Sequence, residues 1–345
     1  MIQDLNAKPI FKHQLWKTLS GLRKIAWIKG ELLAMEKISF VIPCYRSEKT
    51  IRSVVGEIRE AMHSLSDYSY EIILVNDSSP DDVWTSIQNL AEKDGRIIGI
   101  NLAKNFGQHA ALMAGYHHVS GDIVVSLDDD GQTPAIEVPK FIEKIEEGYD
   151  VVYAAYKRNM ESAFRRFGSY VNSKMAEYMI GKPRNIAIQS YFAAKKFIIE
   201  EIIKYENAYP YIFGLIFRTT KNIANVEVNH RSRELGTSGY TLGKLIGLWI
   251  NGFTAFSVWP LRIATCMGVV CSLIGFILGI FFFIQKLMVP SVPFGYSSLI
   301  CSIVFFGGLN LLMLGLVGEY IGRIYICLNR SPQFVVKDIY MRKTQ

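Results

Sequence analysis

From Ile263 to Gly318 the chain carries a single charged residue, Lys286. Charged residues make up 20% of the whole chain, against roughly 25% in soluble domains, so this one block accounts for the deficit. It divides into Ile263–Ile284 and Tyr296–Gly318, each about 20 residues and long enough as a helix to cross the hydrocarbon core. Between them lies a turn containing Pro290 and Pro293, both helix breakers. The pattern predicts a transmembrane hairpin, TM helices 263–284 and 296–318, with both outer ends on one side; a buried helical pair in a soluble core is the bland alternative. Such a chain is neither a secreted globule nor a disordered one, and it has too few spans for a usual channel or transporter.

Arg262, Arg323, Arg330, Lys337, Arg342 and Lys343 lie on the outer ends of the hairpin, whereas the turn offers only Lys286. That bias places the large domain and the tail, residues 319–345, in the cytoplasm. The five cysteines, Cys44, Cys266, Cys271, Cys301 and Cys327, form no C-x-x-C pair, so neither a disulfide framework nor a zinc site follows. Residues 1–36 mix six basic residues with Phe11, Leu15, Trp16, Leu22, Trp27 and Ile28. They read as a basic amphipathic extension on anionic lipid, and equally as a solvated one, with Met35 an alternative start. Thr241–Trp259, within a juxtamembrane segment 241–262, is apolar with Trp near its end. It reads as an interfacial helix at headgroup level, or as a packing helix.

The soluble part, 37–240, alternates apolar runs with amphipathic stretches. Lys37–Cys44 is a short continuous apolar run, expected of a strand covered on both faces. Ser47–Leu65 follows with apolar residues at helical spacing, then strands are predicted at Tyr70–Val75, Ile97–Leu102 and Ile123–Leu127, with helices at Val83–Ala91 and Gln108–His118. This alternation predicts an α/β fold with an open, mostly parallel sheet and helices on both faces. Ligands of such sheets bind beyond the carboxyl ends of the strands.

The polar clusters of the chain fall at those ends. Asp128 and Asp130 follow the fourth strand and are two residues apart, so in extended backbone both carboxylates project to one side. Hard oxygen ligands suit Mg²⁺ or Mn²⁺, and Gln132 continues the alternation. The same run also suits a solvated acidic turn before a helix starting near Ile136. Asp77, after the second strand, can accept hydrogen bonds from ribose or a base, or simply close an Asx-turn. Tyr45, after Pro43 and Cys44, can lie beside a nucleobase or in the core. His109, His117 and His118 lack a third ligand in register for a metal.

Taken together, FVIPCYRSEKTI, ILVNDSSPDD, NFGQHAALMAGYHHVSGDIVVSLDDDGQTP, HRSRELGTSGY and LGLVGEYIGRIY resemble glycosyltransferase family 2, in particular its membrane-anchored polyprenyl-phosphate glycosyltransferases. The likeness runs from about Lys37 to Val336. It implies a GT-A fold, a nucleotide-sugar donor (a UDP-sugar), a divalent metal (Mg²⁺ or Mn²⁺) and a polyprenyl phosphate, undecaprenyl phosphate, as acceptor. On this resemblance Pro43, Tyr45, Glu48, Asp77, Gln108, Asp128, Arg233 and Ser238 would contact the nucleotide sugar, and Asp128, Asp130 and Gln132 the metal. Arg165, Arg166 and Ser169 would receive the acceptor phosphate, with Asp130, Arg165 and Ser169 the catalytic set. Arg165 and Ser169 are four apart, on one face of a helix; Arg165 and Arg166 also suit a contact with anionic lipid.

The sequence departs from the family pattern in places. Gly131 stands where Leu is common, Gly239 replaces a common Lys, and Ile186 and Phe192 stand where an Asp and an Arg are frequent, in a region expected to face the sugar. The expected reaction is inverting transfer of one sugar at the cytoplasmic face of a bacterial inner membrane, for cell-envelope glycan modification. The expected partners are the donor, the acceptor and the bilayer, with no nucleic acid. A homo-oligomer, a flippase and a downstream envelope glycosyltransferase are compatible with this reading. A processive synthase would need more spans and a Q-x-x-R-W motif, a nucleotidyltransferase a Gly-rich loop after the first strand, and a non-catalytic nucleotide-binding scaffold would not require intact Asp128 and Asp130.

Overall fold

In the computed structural model, residues 36–156, 185–229, 295–329 and 331–342 are described, with scattered positions at 177–183 and 264–288. Two compact units divide the chain: Met1–Ser238 with Pro332–Gln345, and Gly239–Ser331. The N-terminal extension through residue 35, the 241–262 segment, Arg165, Arg166, Ser169, Arg233 and Ser238 lie outside the described residues.

The first unit is built on an eight-stranded mixed sheet. In chain order its described elements are β1 (Lys37–Cys44), α1 (Ile51–His63), β2 (Ser69–Asn76), α2 (Val83–Lys93), β3 (Ile97–Leu102), α3 (Gln108–Tyr116), β4 (Ile123–Ser126), α4 (Val138–Glu146), β5 (Val151–Tyr156), β6 (Phe192–Lys195), α5 (Lys196–Ile202), α6 (Ile212–Thr219) and β7 (Ile223–Val228). The second unit contributes α7 (Tyr296–Leu328), after which β8 (Val336–Met341) rejoins the sheet. The strand order is β7-β5-β6-β4-β1-β2-β3-β8.

Alternation along the strands explains the layering. Phe40, Ile42, Ile72, Leu74, Val125 and Val152 point to a core shared with α1, α2 and α4. Their neighbours Val41, Ile73, Val75, Val124 and Tyr153 point to a second core with α3, α5 and α6. Successive side chains of a strand face opposite ways, so a strand apolar at every position must be covered on both faces. β1 is covered in this way, buried from Ile38 to Cys44, with Ser39 its one polar residue there, hydrogen-bonded to Glu71.

The centre β4-β1-β2-β3 is parallel as expected, but the sheet as a whole is mixed. β6 lies antiparallel between β4 and β5, and β8 lies antiparallel against β3, while β5 and β7 are parallel. The expectation of a mostly parallel sheet therefore holds for the centre and for β5 with β7, and fails where β6 and β8 enter. Hydrophobic periodicity reports burial, and both strand directions satisfy it equally.

In the second unit, α7 spans 33 residues, about 50 Å at 1.5 Å per residue. It continues past Gly318, the expected end of the second span, through Glu319 and Arg323. Within it Phe305–Ile326 is long and apolar enough to cross a membrane. Every described position between 264 and 288 is helical, but the first expected span is described only in part.

Candidate active site

The carboxyl ends of β1, β2 and β4 bring three loops together. After β1 the chain turns through Arg46, a non-glycine residue with φ 60°; after β2 it turns through Ser78, φ 50°. After β4 comes Asp128-Asp129-Asp130, all half-buried.

The middle carboxylate faces the β1 loop. Asp129 Oδ2 accepts the Tyr45 backbone N–H at 2.8 Å, and its carbonyl accepts the Thr50 hydroxyl at 2.6 Å. Burial above all, with the flanking Asp128 and Asp130 charges adding, pushes the Asp129 carboxyl up to about 6. Asp128 and Asp130 act together on another neighbour. Burial raises the Tyr156 hydroxyl, and the two carboxylates raise it further, since a second negative charge beside them is disfavoured. Asp129 thus binds the β1 loop, while Asp128 and Asp130 both lie near enough to Tyr156 for their charges to act on it.

Asp128 is held from two elements. Gln108, the first residue of α3, donates Nε2 to its Oδ1 at 2.8 Å, and the Ser190 hydroxyl donates to its Oδ2. Asp130 Oδ1 accepts the Gln132 backbone N–H at 3.0 Å, a local turn bond. Two hard carboxylates beside a third suit a hard divalent cation whose remaining ligands are phosphate oxygens. Among the described residues no group of three or more His, Cys, Asp or Glu side chains converges on a metal position.

Asp77 is only 3% exposed. Its two oxygens accept the Phe106 and Gly107 N–H groups at 2.7 and 2.8 Å. Burial pushes its carboxyl above the usual range, against the pull of those two donors. Gly107 has φ +91°, a conformation glycine adopts without a Cβ penalty, and α3 starts at the next residue. Asp77 therefore fixes the entry to α3, and with it the position from which Gln108 reaches Asp128. Pro43 lies inside β1 opposite Val75. Tyr45 is 43% exposed, with the Arg46 guanidinium 5.5 Å from its ring centroid. The Glu48 backbone N–H donates to Asp81 at 2.9 Å.

The segment expected to face the sugar is divided. Ile186 packs against the core beneath α3, and Phe192 is fully buried in β6 with Tyr153 and Phe213 around it. Ser190 reaches the acidic run instead. Asn225 of β7 aligns this segment, its side chain accepting from and donating to the backbone of Ala187. Neither Ser190 nor Tyr156 was singled out in the sequence. Only the position of Ser190 beside the expected sugar segment hinted at it.

The histidines make no metal site among the described residues. His109 packs between Tyr211 and Phe213, and burial lowers its pKa to about 4. His118 Nδ1 pairs with the Ala114 carbonyl, and His117 lies against Phe334.

Loops at the carboxyl ends of parallel strands, with paired carboxylates between them, stand where open α/β sheets bind their ligands. Residues 39–203 match glycosyl transferase family 2, and residues 259–324 match the GtrB C-terminal hairpin. An undecaprenyl-phosphate 4-deoxy-4-formamido-L-arabinose transferase from Serratia proteamaculans (strain 568) is 33% identical over 308 residues, 88% of this chain and 94% of that protein. The protein of the same name from Shewanella sediminis (strain HAW-EB3) is 32% identical over 306 residues, 88% of this chain and 92% of that one. Among solved structures, glucosyl-3-phosphoglycerate synthase from Mycobacterium tuberculosis, crystallised with Mn²⁺, UDP-glucose and phosphoglyceric acid, is similar at a TM-score of 0.49 and 22% identity, covering 64% of this chain and 78% of that chain. The chain belongs to glycosyltransferase family 2 and is a glycosyltransferase.

Proposed function

We propose that this enzyme, on a GT-A-type fold, transfers a single sugar from a UDP-sugar to a polyprenyl phosphate, undecaprenyl phosphate, at the cytoplasmic face of a bacterial membrane. The observation that carries the reading is Asp128 and Asp130 after the end of β4, in the run that the loop after β1 contacts, itself joined to the loop after β2. The relatives named for undecaprenyl-phosphate transfer support the acceptor, and the apolar helix Phe305–Ile326 supports a membrane site.

The chemistry is chiefly electrostatic, because a phosphate already ionised at neutral pH must approach an anionic donor and no strong base is required. Tyr45, Glu48 and Asp77 lie on the loops that receive the nucleoside, and Gln108 and Ser190 hold Asp128 in place. Asp128, Asp130 and Gln132 would hold Mg²⁺ or Mn²⁺, which offsets charge on the leaving diphosphate when bound. Arg165, Arg166 and Ser169 would orient the acceptor phosphate, and Arg233 and Ser238 the donor diphosphate. Orientation of two bound reactants lowers such a barrier by about 7–11 kcal/mol when alignment is good. In-line attack inverts the anomeric centre.

The test is a transfer assay with purified full-length protein, undecaprenyl phosphate and a panel of UDP-sugars, with products read by mass spectrometry. A lipid carrying one sugar is expected. A ladder of chain lengths would indicate a processive synthase, and nucleotide binding without consumption of any donor would indicate a scaffold. Comparison of the polyprenyl-phosphate pool in cells with and without the protein then identifies the sugar.

A further inference from the structure

A line of side-chain hydrogen bonds runs from the C-terminal strand to the loops after β1 and β2. Asn101 of β3 donates Nδ2 to Asp338 Oδ2 of β8 at 3.3 Å. Asn76 of β2 donates Nδ2 to Asn101 Oδ1 at 2.8 Å, and its own Oδ1 accepts the Ser79 N–H at 3.0 Å. A backbone N–H can only donate and a carboxylate can only accept, so the two ends fix the orientation of both amides. Ser79 then joins the loops: its Oγ accepts the Arg46 N–H at 2.7 Å and donates to Asp81. The other oxygen of Asp81 accepts the Glu48 N–H at 2.9 Å.

Two features argue that this line has a purpose beyond filling space. Asn76 and Asn101 are only 4% and 8% exposed, and an apolar pair would fill such positions without the cost of desolvating two amides. The loops it joins also contain Arg46 and Ser78, both non-glycine residues at positive φ. Such backbone persists where its surroundings over-determine it, and it gathers at ligand sites.

We propose that Asp338, Asn101 and Asn76 are positioning residues for the nucleotide. The C-terminal strand, joined to the sheet beside β3, sets the geometry of the loops that carry Tyr45, Glu48 and Asp77. This inference rests on the reading above that those loops receive a uridine nucleotide. Asp338 touches no substrate; it acts through Asn101 and Asn76 on the loop backbone. Because it is exposed on an edge strand, replacing it leaves both apolar cores intact.

The experiment uses the full-length protein in detergent, with UDP binding measured by titration calorimetry and donor and acceptor kinetics measured separately. Asp338→Ala and Asn101→Ala should each weaken UDP and raise the donor KM about tenfold, the scale of one hydrogen bond to a charged group. The kcat at saturating donor and the acceptor KM should stay within about twofold, a split that marks lost positioning of one substrate. Asp338→Asn should restore UDP affinity, since its amide oxygen still accepts from Asn101. Unchanged UDP affinity in both alanine variants would overturn the inference, as would Asp338→Asn binding as weakly as Asp338→Ala, or equal losses for donor and acceptor. Failure of the unaltered protein to bind UDP would instead overturn the nucleotide reading, and this inference with it.

Discussion

The Ser190 hydroxyl donates to Asp128 across 62 positions of sequence, so the acidic run after β4 is completed from the segment leading into β6. With Gln108 on the other oxygen, Asp128 has one orientation available without losing a partner. Ser190→Ala should lower turnover about tenfold, the scale of a lost hydrogen bond to an ionised group. Ser190→Thr should retain most of it. Turnover at saturating donor decides the matter; wild-type rates for the alanine variant would remove Ser190 from the site.

Asp130→Asn should abolish transfer to lipid phosphate while circular dichroism and melting stay those of the parent protein, because the Gln132 N–H that Asp130 accepts can be accepted equally by an amide oxygen. Chelation of divalent cations should silence the parent enzyme, and Mg²⁺ or Mn²⁺ should restore it. Full activity of the variant in chelator would refute the metal assignment.

Gly115 of α3 packs directly on the sheet. An added Cβ would lie 2.4 Å from Cγ1 of Val41 and 3.2 Å from Cγ2 of Val75, both β-branched and fully buried. Gly115→Ala should therefore destabilise by about 1–3 kcal/mol, the range for overpacked cores. Its Tm should fall by several degrees. Because α3 also carries Gln108, donor affinity should fall too; an unchanged Tm would show that the helix can withdraw from the sheet.

Asp94 accepts both the Nε and Nη2 of Arg96 at 2.9 Å and a further bond from Arg59. The Arg96 hydrogen bonds hold its carboxyl down to about 2, below the roughly 3.9 of an unfolded aspartate. A depressed folded pKa adds stability above the unfolded value, and that stability is lost as the pH falls through the folded one. Thermal scans should show the parent protein above Asp94→Asn at pH 6, with the two converging toward pH 2. A constant gap across that window would mean the ion pair contributes nothing through its charge.

Much of the central sheet was legible in the chain. The predicted first and third strands match β1 and β3 residue for residue, and the second falls one residue short of β2 at each end. Each is a buried apolar run closed by polar turn residues, a signal local enough to read directly. The helix after the acidic run is less so. A single 3₁₀ turn, Ala135–Glu137, precedes α4, and Pro139 near the start of α4 lacks the N–H that an earlier start would need. Of the candidate site, Asp77, Asp128 and Asp130 were marked by their places at strand ends, and Gln108 by the family resemblance alone. The contacts of Asp77 were not: its carboxylate is occupied by the Phe106–Gly107 backbone, which no spacing rule foretells.

Sequence alone determined the buried strands at the centre of the sheet, the acidic run that follows β4 and the apolar stretch long enough for a bilayer, because each is written in neighbouring residues through burial and charge. Tertiary structure decided which distant segments complete that edge: β6 entering antiparallel with Ser190 before it, and β8 returning from beyond α7 to place Asp338 on Asn101. Edge pairing is made by backbone groups common to every residue, and a single side-chain hydrogen bond has no period. Partners separated by that much chain become visible only once the sheet has formed.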